Sequence, residues 1–162
     1  MIKIFTTGGT IDDYHYDSVD KAPTSHKSFV PELLKRARVT VKCEVEEIVH
    51  KDSRFVTDDD REIIFKKCQD CKEDKIIITH GTATMPITAK FLGKNNIEKT
   101  IVLTGSGFPA NKENSDALFN LGAALTAVQA LPNGVYVVMN GKIFTWDNVK
   151  KNVETGFFET ER

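Results

Sequence analysis

A doubly wound α/β domain with a mostly parallel sheet is the fold this sequence predicts. Three observations carry that expectation. Short apolar runs recur at residues 3–6, 75–79 and 100–103, each bounded by polar residues. Segments with apolar residues at helical spacing separate them, the alternation a parallel sheet with crossover helices requires. The runs Ile76-Ile77-Ile78 and Ile101-Val102-Leu103 do not alternate with polar residues, so both faces of those strands must be covered. A chain of 162 residues fits one domain and is long enough to bury a sizeable core.

The elements follow in order. The first strand ends in the tight turn Thr7-Gly8-Gly9-Thr10. Residues 12–28 are polar and aperiodic, and a stretch of that length inside a compact domain is typically a lid or binding loop. Residues 29–37 predict a short helix with Pro31 in its first turn. Residues 39–49 predict a strand with Val39, Val41, Cys43 and Val45 on one face. Thr57 can cap a helix carrying Ile63, Ile64 and Cys68, with Asp60 completing a weaker form of the capping box. Residues 84–92 predict a helix after the second buried strand, and residues 115–131 a longer, Ala-rich one stopped by Pro132-Asn133-Gly134. Residues 135–139 and 142–144 predict strands joined at Asn140-Gly141, a strong hairpin signal. Residues 147–162 read as a tail, polar apart from Phe157 and Phe158.

Several classes of function are excluded by composition. Lys and Arg number 22 against 23 Asp and Glu, so no overall field draws the chain to nucleic acid or to an anionic membrane. No apolar run approaches the ~20 residues of a membrane-spanning helix. The first five residues turn polar too soon for a signal peptide, and a cytoplasmic protein is the expectation. Cys43, Cys68 and Cys71 are an odd and sparse set. The Cys68-x-x-Cys71 pair falls near the end of a helical pattern, not at its start where a thiol is activated, and it has no second ligand pair for zinc. Both read as incidental helix cysteines. No metal and no organic cofactor are expected.

Ligands of open α/β sheets bind beyond the carboxyl ends of the strands. The segments to interrogate are therefore residues 7–10, Asp52-Ser53, residues 79–84 and residues 105–107. Gly105-x-Gly107-x-x-Ala110 formally matches a dinucleotide fingerprint, but Pro109 interrupts the helix start and no acidic residue sits where ribose binding needs one. Gly8-Gly9 is either a plain turn or a cradle of N–H groups, without the lysine of a phosphate-binding loop. His80 is a general base or a packed histidine at a strand end. Thr10, Ser53 and Thr82 each follow a strand and can converge. Hydroxyl catalysis on that plan takes N–H donors from the Gly-Gly turn and a base from Lys99, provided its pKa is lowered. The plainer reading of such hydroxyls is helix capping.

The same residues resemble a known family. Thr7-Gly8-Gly9-Thr10-Ile11 looks like the first signature of the bacterial L-asparaginase/glutaminase family, and Thr79-His80-Gly81-Thr82-x-Thr84-Met85 like its second. Asp52-Ser53 with Thr57-x-Asp59 is similar to the segment between them, and Lys99 ahead of a strand and Gly105 resembles the stretch with the family's catalytic lysine. The likeness continues through residues 115–121 and 134–144, so it covers nearly the whole chain, as the family's N-terminal domain without its smaller C-terminal one. It implies a flavodoxin-like three-layer domain spanning residues 1–162. It implies Thr10 as the nucleophile that attacks a side-chain amide and releases ammonia, with Thr82 and Lys99 as the second threonine and its base. Ser53 is implied to bind the substrate carboxylate, with Gly9, Asp52, Gly81 and Ala83 completing the substrate-binding set. The mobile lid carries a tyrosine in the family; Tyr14 and Tyr16 are both candidates, and Tyr16 is placed in the catalytic set.

One departure stands out. The family has Asp after the second threonine, where this chain has Ala83. That carboxylate pairs with the lysine and holds the substrate ammonium in the family. Its loss removes an anchor for an α-amino group and lets a nearby lysine deprotonate more readily. The expectation is an asparaginase-like amidohydrolase acting on asparagine or a related small amide. The alternatives are a catalytically silent domain that binds a small amide or carboxylate, and a subunit that needs a partner chain. The partners implied are a small-molecule amide and either further copies of the chain or a separate subunit.

Overall fold

The computed structural model describes residues 1–12 and 27–162. Strand β1 (Ile2–Thr6) opens the chain, followed by α1 (Val30–Arg36), β2 (Cys43–Glu47), α2 (Asp58–Asp70), β3 (Lys75–Thr79), α3 (Met85–Lys94), β4 (Thr100–Thr104), α4 (Ala117–Ala130), β5 (Gly134–Met139) and β6 (Lys142–Thr145). Two short strands close it, β7 (Lys150–Lys151) and β8 (Phe158–Glu159). The main sheet has the order β2-β1-β3-β4-β5-β6. Every pairing in it is parallel except β5 with β6, whose register runs Tyr136↔Thr145 to Met139↔Lys142. The expected doubly wound, mostly parallel single domain is what the chain forms.

Alternation along the strands explains the layers. Phe5, Ile76, Ile78, Ile101, Leu103, Val135 and Val137 face one side, where they pack with Ile64 and Cys68 of α2 and Met85, Ala89 and Leu92 of α3. Ile2, Ile4, Ile77, Val102 and Val138 face the other, against α1 and the alanine-rich face of α4. Both sides of the central strands are thus dry, as the unbroken Ile and Val runs require. The cap is as read: Thr57 N–H donates to Asp60 Oδ2 at 2.8 Å, and Asp60 N–H donates back to Thr57 Oγ1 at 3.3 Å. Asn140 (φ 55°) and Gly141 (φ 75°) make the left-handed pair that a two-residue hairpin turn needs.

Two expectations need correction. Residues 39–49 do not all enter the sheet. Only Cys43–Glu47 pair with β1, because β2 is the sheet edge, while Val39 and Val41 pack against the α1 side from outside the ladder. Residues 147–162 are not a mere polar tail. β7 and β8 pair antiparallel, Lys151 opposite Phe158, and Val149 and Phe158 are buried in the core on the α2–α3 side. Cys68 is core packing, and Cys71 lies at the end of α2 with its thiol turned to the Cys68 and Glu73 carbonyls. Among the described residues no helix is long and apolar enough to cross a membrane, and no cluster of three His, Cys, Asp or Glu has metal-binding spacing.

Candidate functional site

The chain leaves β1 toward β2 on one side and returns through β3 on the other. The order reverses between β1 and β3, which is where such sheets open a ligand crevice. Thr10 follows β1 and Thr82 follows β3, so the two loops meet at that point. Thr7 ties them, its N–H and Oγ1 both donating to the Thr79 carbonyl at 3.1 and 2.8 Å. Gly8 (φ 88°) and Gly9 (φ 85°) then turn the chain sharply. A side chain at Gly9 would come within 2.5 Å of the Gly81 Cα and N, and one at Gly81 within 2.6 Å of Ser53 Cβ and Oγ. Three loops therefore touch through two glycines. A Gly9→Ala variant combines left-handed strain with a backbone clash, and is expected to lose about 3 kcal/mol or more in urea unfolding. An unchanged midpoint would show that the loops can part freely.

Thr10, Ser53 and Thr82 lie in the loops at this junction, each in its own setting. Thr10 is 2% exposed and its Oγ1 has no hydrogen-bond partner among the described residues. It opens a short 3-10 turn that ends at Asp12, whose Oδ1 accepts from Ser28 Oγ at 2.8 Å and Phe29 N–H at 2.9 Å. These bonds tie the turn after β1 to the start of α1. Tyr14 and Tyr16 lie outside the described residues. Ser53 is buried, its Oγ accepting from Thr84 N–H at 3.3 Å while its carbonyl accepts from Thr84 Oγ1 at 2.7 Å. Asp52 caps the turn before Ser53, and its carboxylate is engaged by the Arg54 N–H and guanidinium. Ala83 is exposed at the mouth of the junction.

Lys99, the lysine expected beside Thr82, does not lie there. Lys99 lies at the amino end of the sheet, just before β4, whereas Thr82 lies beyond the carboxyl end of β3. A five-residue strand separates those two edges by roughly 16 Å. The Lys99 ammonium caps the end of α2 instead, donating to the Gln69 carbonyl at 3.3 Å and to the Cys71 carbonyl. The amine beside Thr82 belongs to Lys151 on β7, with Nζ 2.8 Å from Thr82 Oγ1. Burial pushes the Lys151 pKa below the ordinary lysine value.

The hairpin that carries Lys151 is held by side-chain amides. The β7–β8 turn is closed by Asn152, whose Oδ1 accepts from Glu154 and Thr155 N–H. Phe158 N–H donates to Asn140 Oδ1, Asn140 N–H donates to Asn120 Oδ1, and the Asn120 amide donates to the Gly105 carbonyl. That relay ties the hairpin to the β5–β6 turn, to α4 and to the loop after β4. The sequence holds only a trace of the hairpin, one apolar residue (Val149 and Phe158) beside charged ones on each short arm.

His80 resolves as a packed histidine. It is fully buried, with Nδ1 2.8 Å from the Gly81 carbonyl and Nε2 2.9 Å from Thr88 Oγ1. A carbonyl only accepts, so Nδ1 carries the proton and Nε2 accepts from the Thr88 hydroxyl, which itself accepts from Arg61 Nε at 3.2 Å. The ring fixes the Gly81–Thr82 turn and has no lone pair left for substrate. Burial pushes its pKa down to about 4. The unfolded chain therefore takes up this proton first. Stability is full above pH ~6.5 and falls by about 3 kcal/mol as the pH drops toward 4. A His80→Gln variant is expected to lose that part of the pH dependence in urea titrations; parallel curves for the two proteins would refute it.

Beside Thr82 a cleft of about 440 Å³ opens, walled by Ala83, Pro86, Ile87, Val149, Lys151 and Val153 among others.

Comparison with known proteins gives the chain's family. Residues 1–159 match the family model described as Asparaginase, N-terminal. The L-asparaginase of Thermococcus kodakarensis is 32% identical over 152 residues, covering 91% of this chain and 46% of that protein. A glutamyl-tRNA(Gln) amidotransferase subunit of Methanococcus vannielii is 33% identical over 148 residues, covering 88% of this chain and 34% of that one. The crystal structure of a probable cytoplasmic L-asparaginase from Campylobacter jejuni superposes with a TM-score of 0.79 at 30% identity, over 98% of this chain and 51% of that chain. The chain spans about half the length of the asparaginases it matches, or less.

Proposed function

Since the chain belongs to the asparaginase family through that N-terminal domain, we propose that it carries an amidohydrolase site for small carboxamides, with Thr10 as nucleophile. The observation that carries the reading is the contact of Lys151 Nζ with Thr82 Oγ1, in the loop that packs on the turn bearing the buried, unbonded Thr10 hydroxyl. In this reading Thr10 Oγ1 adds to the amide carbon, and the main-chain N–H groups of the Gly8-Gly9 turn face the developing oxyanion. The Thr82–Lys151 pair, its amine neutral, takes up the hydroxyl proton and delivers it to the departing nitrogen, so that ammonia leaves. Water then cleaves the acyl-threonine ester to release the acid. Ser53 meets the substrate carboxylate from the adjoining loop.

A partner chain belongs to the proposal, supported by the Methanococcus vannielii relative, which is named as one subunit of an amidotransferase. So does a cytoplasmic setting, supported by the Campylobacter jejuni protein. The test is ammonia release from a panel of small amides by the full chain, alone and after co-expression with candidate partner chains. Turnover of any panel member supports the reading; none under either condition sinks it and leaves the silent binding domain.

A further inference from the structure

The charges around the cleft do not suit a zwitterion. Glu161, the acid that lines it, pairs with Lys90 at 2.9 Å, and Glu159 on the other arm of the hairpin pairs with Lys150 at 3.4 Å. Asp52 is engaged by Arg54. Lys151 has no ion-pair partner among the described residues, and the position after Thr82 is a methyl group. The wall that continues from Ala83 is hydrocarbon, made by Pro86 and Ile87 in the first turn of α3. That first turn has no acidic residue and no side-chain cap, so the helix presents its positive end here as well. An ammonium group placed beside Thr82 would meet methyl groups and the positive end of a helix, with no unpaired carboxylate among the described residues to receive it.

Resting on the amidohydrolase reading, we infer that the cleft takes carboxamides that bear no ammonium group next to the reacting amide, with a plain hydrocarbon segment against Ala83, Pro86 and Ile87. An aliphatic mono-amide acid meets those terms, its methylene groups lying against the apolar wall.

The experiment compares L-asparagine with succinamate, which differs from it by the missing amino group, in ammonia release by the full chain. Calorimetric binding of L-aspartate and succinate is measured alongside. Succinamate is expected to exceed asparagine in kcat/KM by roughly tenfold or more, and Ala83→Asp to erase or reverse that preference. An equal or greater kcat/KM for asparagine in the parent protein overturns the inference and leaves the hydrolase reading intact. If neither amide is turned over but succinate binds roughly tenfold more tightly than aspartate, the hydrolase reading fails and the ligand class stands. If neither amide is turned over and succinate shows no such advantage, both fall.

Discussion

Thr10→Ala is expected to reduce ammonia release by at least about a thousandfold while the melting temperature stays the same or rises slightly. The two halves of that result come from one observation. A buried hydroxyl without a partner carries a desolvation cost with no compensating bond, so removing it does not weaken the fold. Removing this oxygen therefore breaks no hydrogen bond among the described residues. The measurement is turnover of the best amide in the panel beside thermal unfolding of both proteins. Parental turnover in Thr10→Ala, or an acyl adduct that maps to Thr82 in a quenched reaction, would remove Thr10 from the nucleophile's place.

Lys151→Met is expected to lower kcat by about 10²- to 10⁴-fold, whereas Lys99→Met leaves kcat unchanged and weakens the end of α2. Lys151→Arg is expected to stay inactive, because a guanidinium keeps the charge but does not release its proton near neutral pH. The pH profile gives an independent check. Burial lowers the Lys151 pKa, so activity rises with pH as the amine loses its proton, and does so below the range of an exposed lysine. Loss of activity in Lys99→Met with an intact Lys151 would reverse the assignment.

These two lysines show where the sequence was legible and where it was not. Strands β3 and β4, the Thr57–Asp60 cap and the Asn140-Gly141 turn declared themselves because their causes are local: covered faces, a reciprocal pair three residues apart, a left-handed dipeptide. Thr10, Ser53 and Thr82 could be brought together on paper because each follows a strand that joins the sheet. Lys99 failed that same test, since it precedes a strand and so belongs to the opposite edge. Lys151 passes it only in three dimensions. Its place depends on two strands of two residues each, lying outside the main sheet and fastened through Asn120 and Asn140. Neither periodicity nor propensity registers a pairing so short. The role of His80 was equally balanced in sequence and was decided by which of its neighbours can only accept a proton.

The β7–β8 hairpin has a consequence for how the protein comes apart. Six strands share one continuous ladder, but the lysine beside Thr82 rides on a separate two-rung ladder joined to the rest by a few amide bonds and the side chains of Val149 and Phe158. Such a piece detaches in a sub-global opening at a lower free energy than the sheet itself. Amide hydrogens at 150–159 should then exchange through partial opening, at lower denaturant than those of β3 and β4. Catalytic competence would be lost across that first step, with the circular dichroism of the sheet and helices still native.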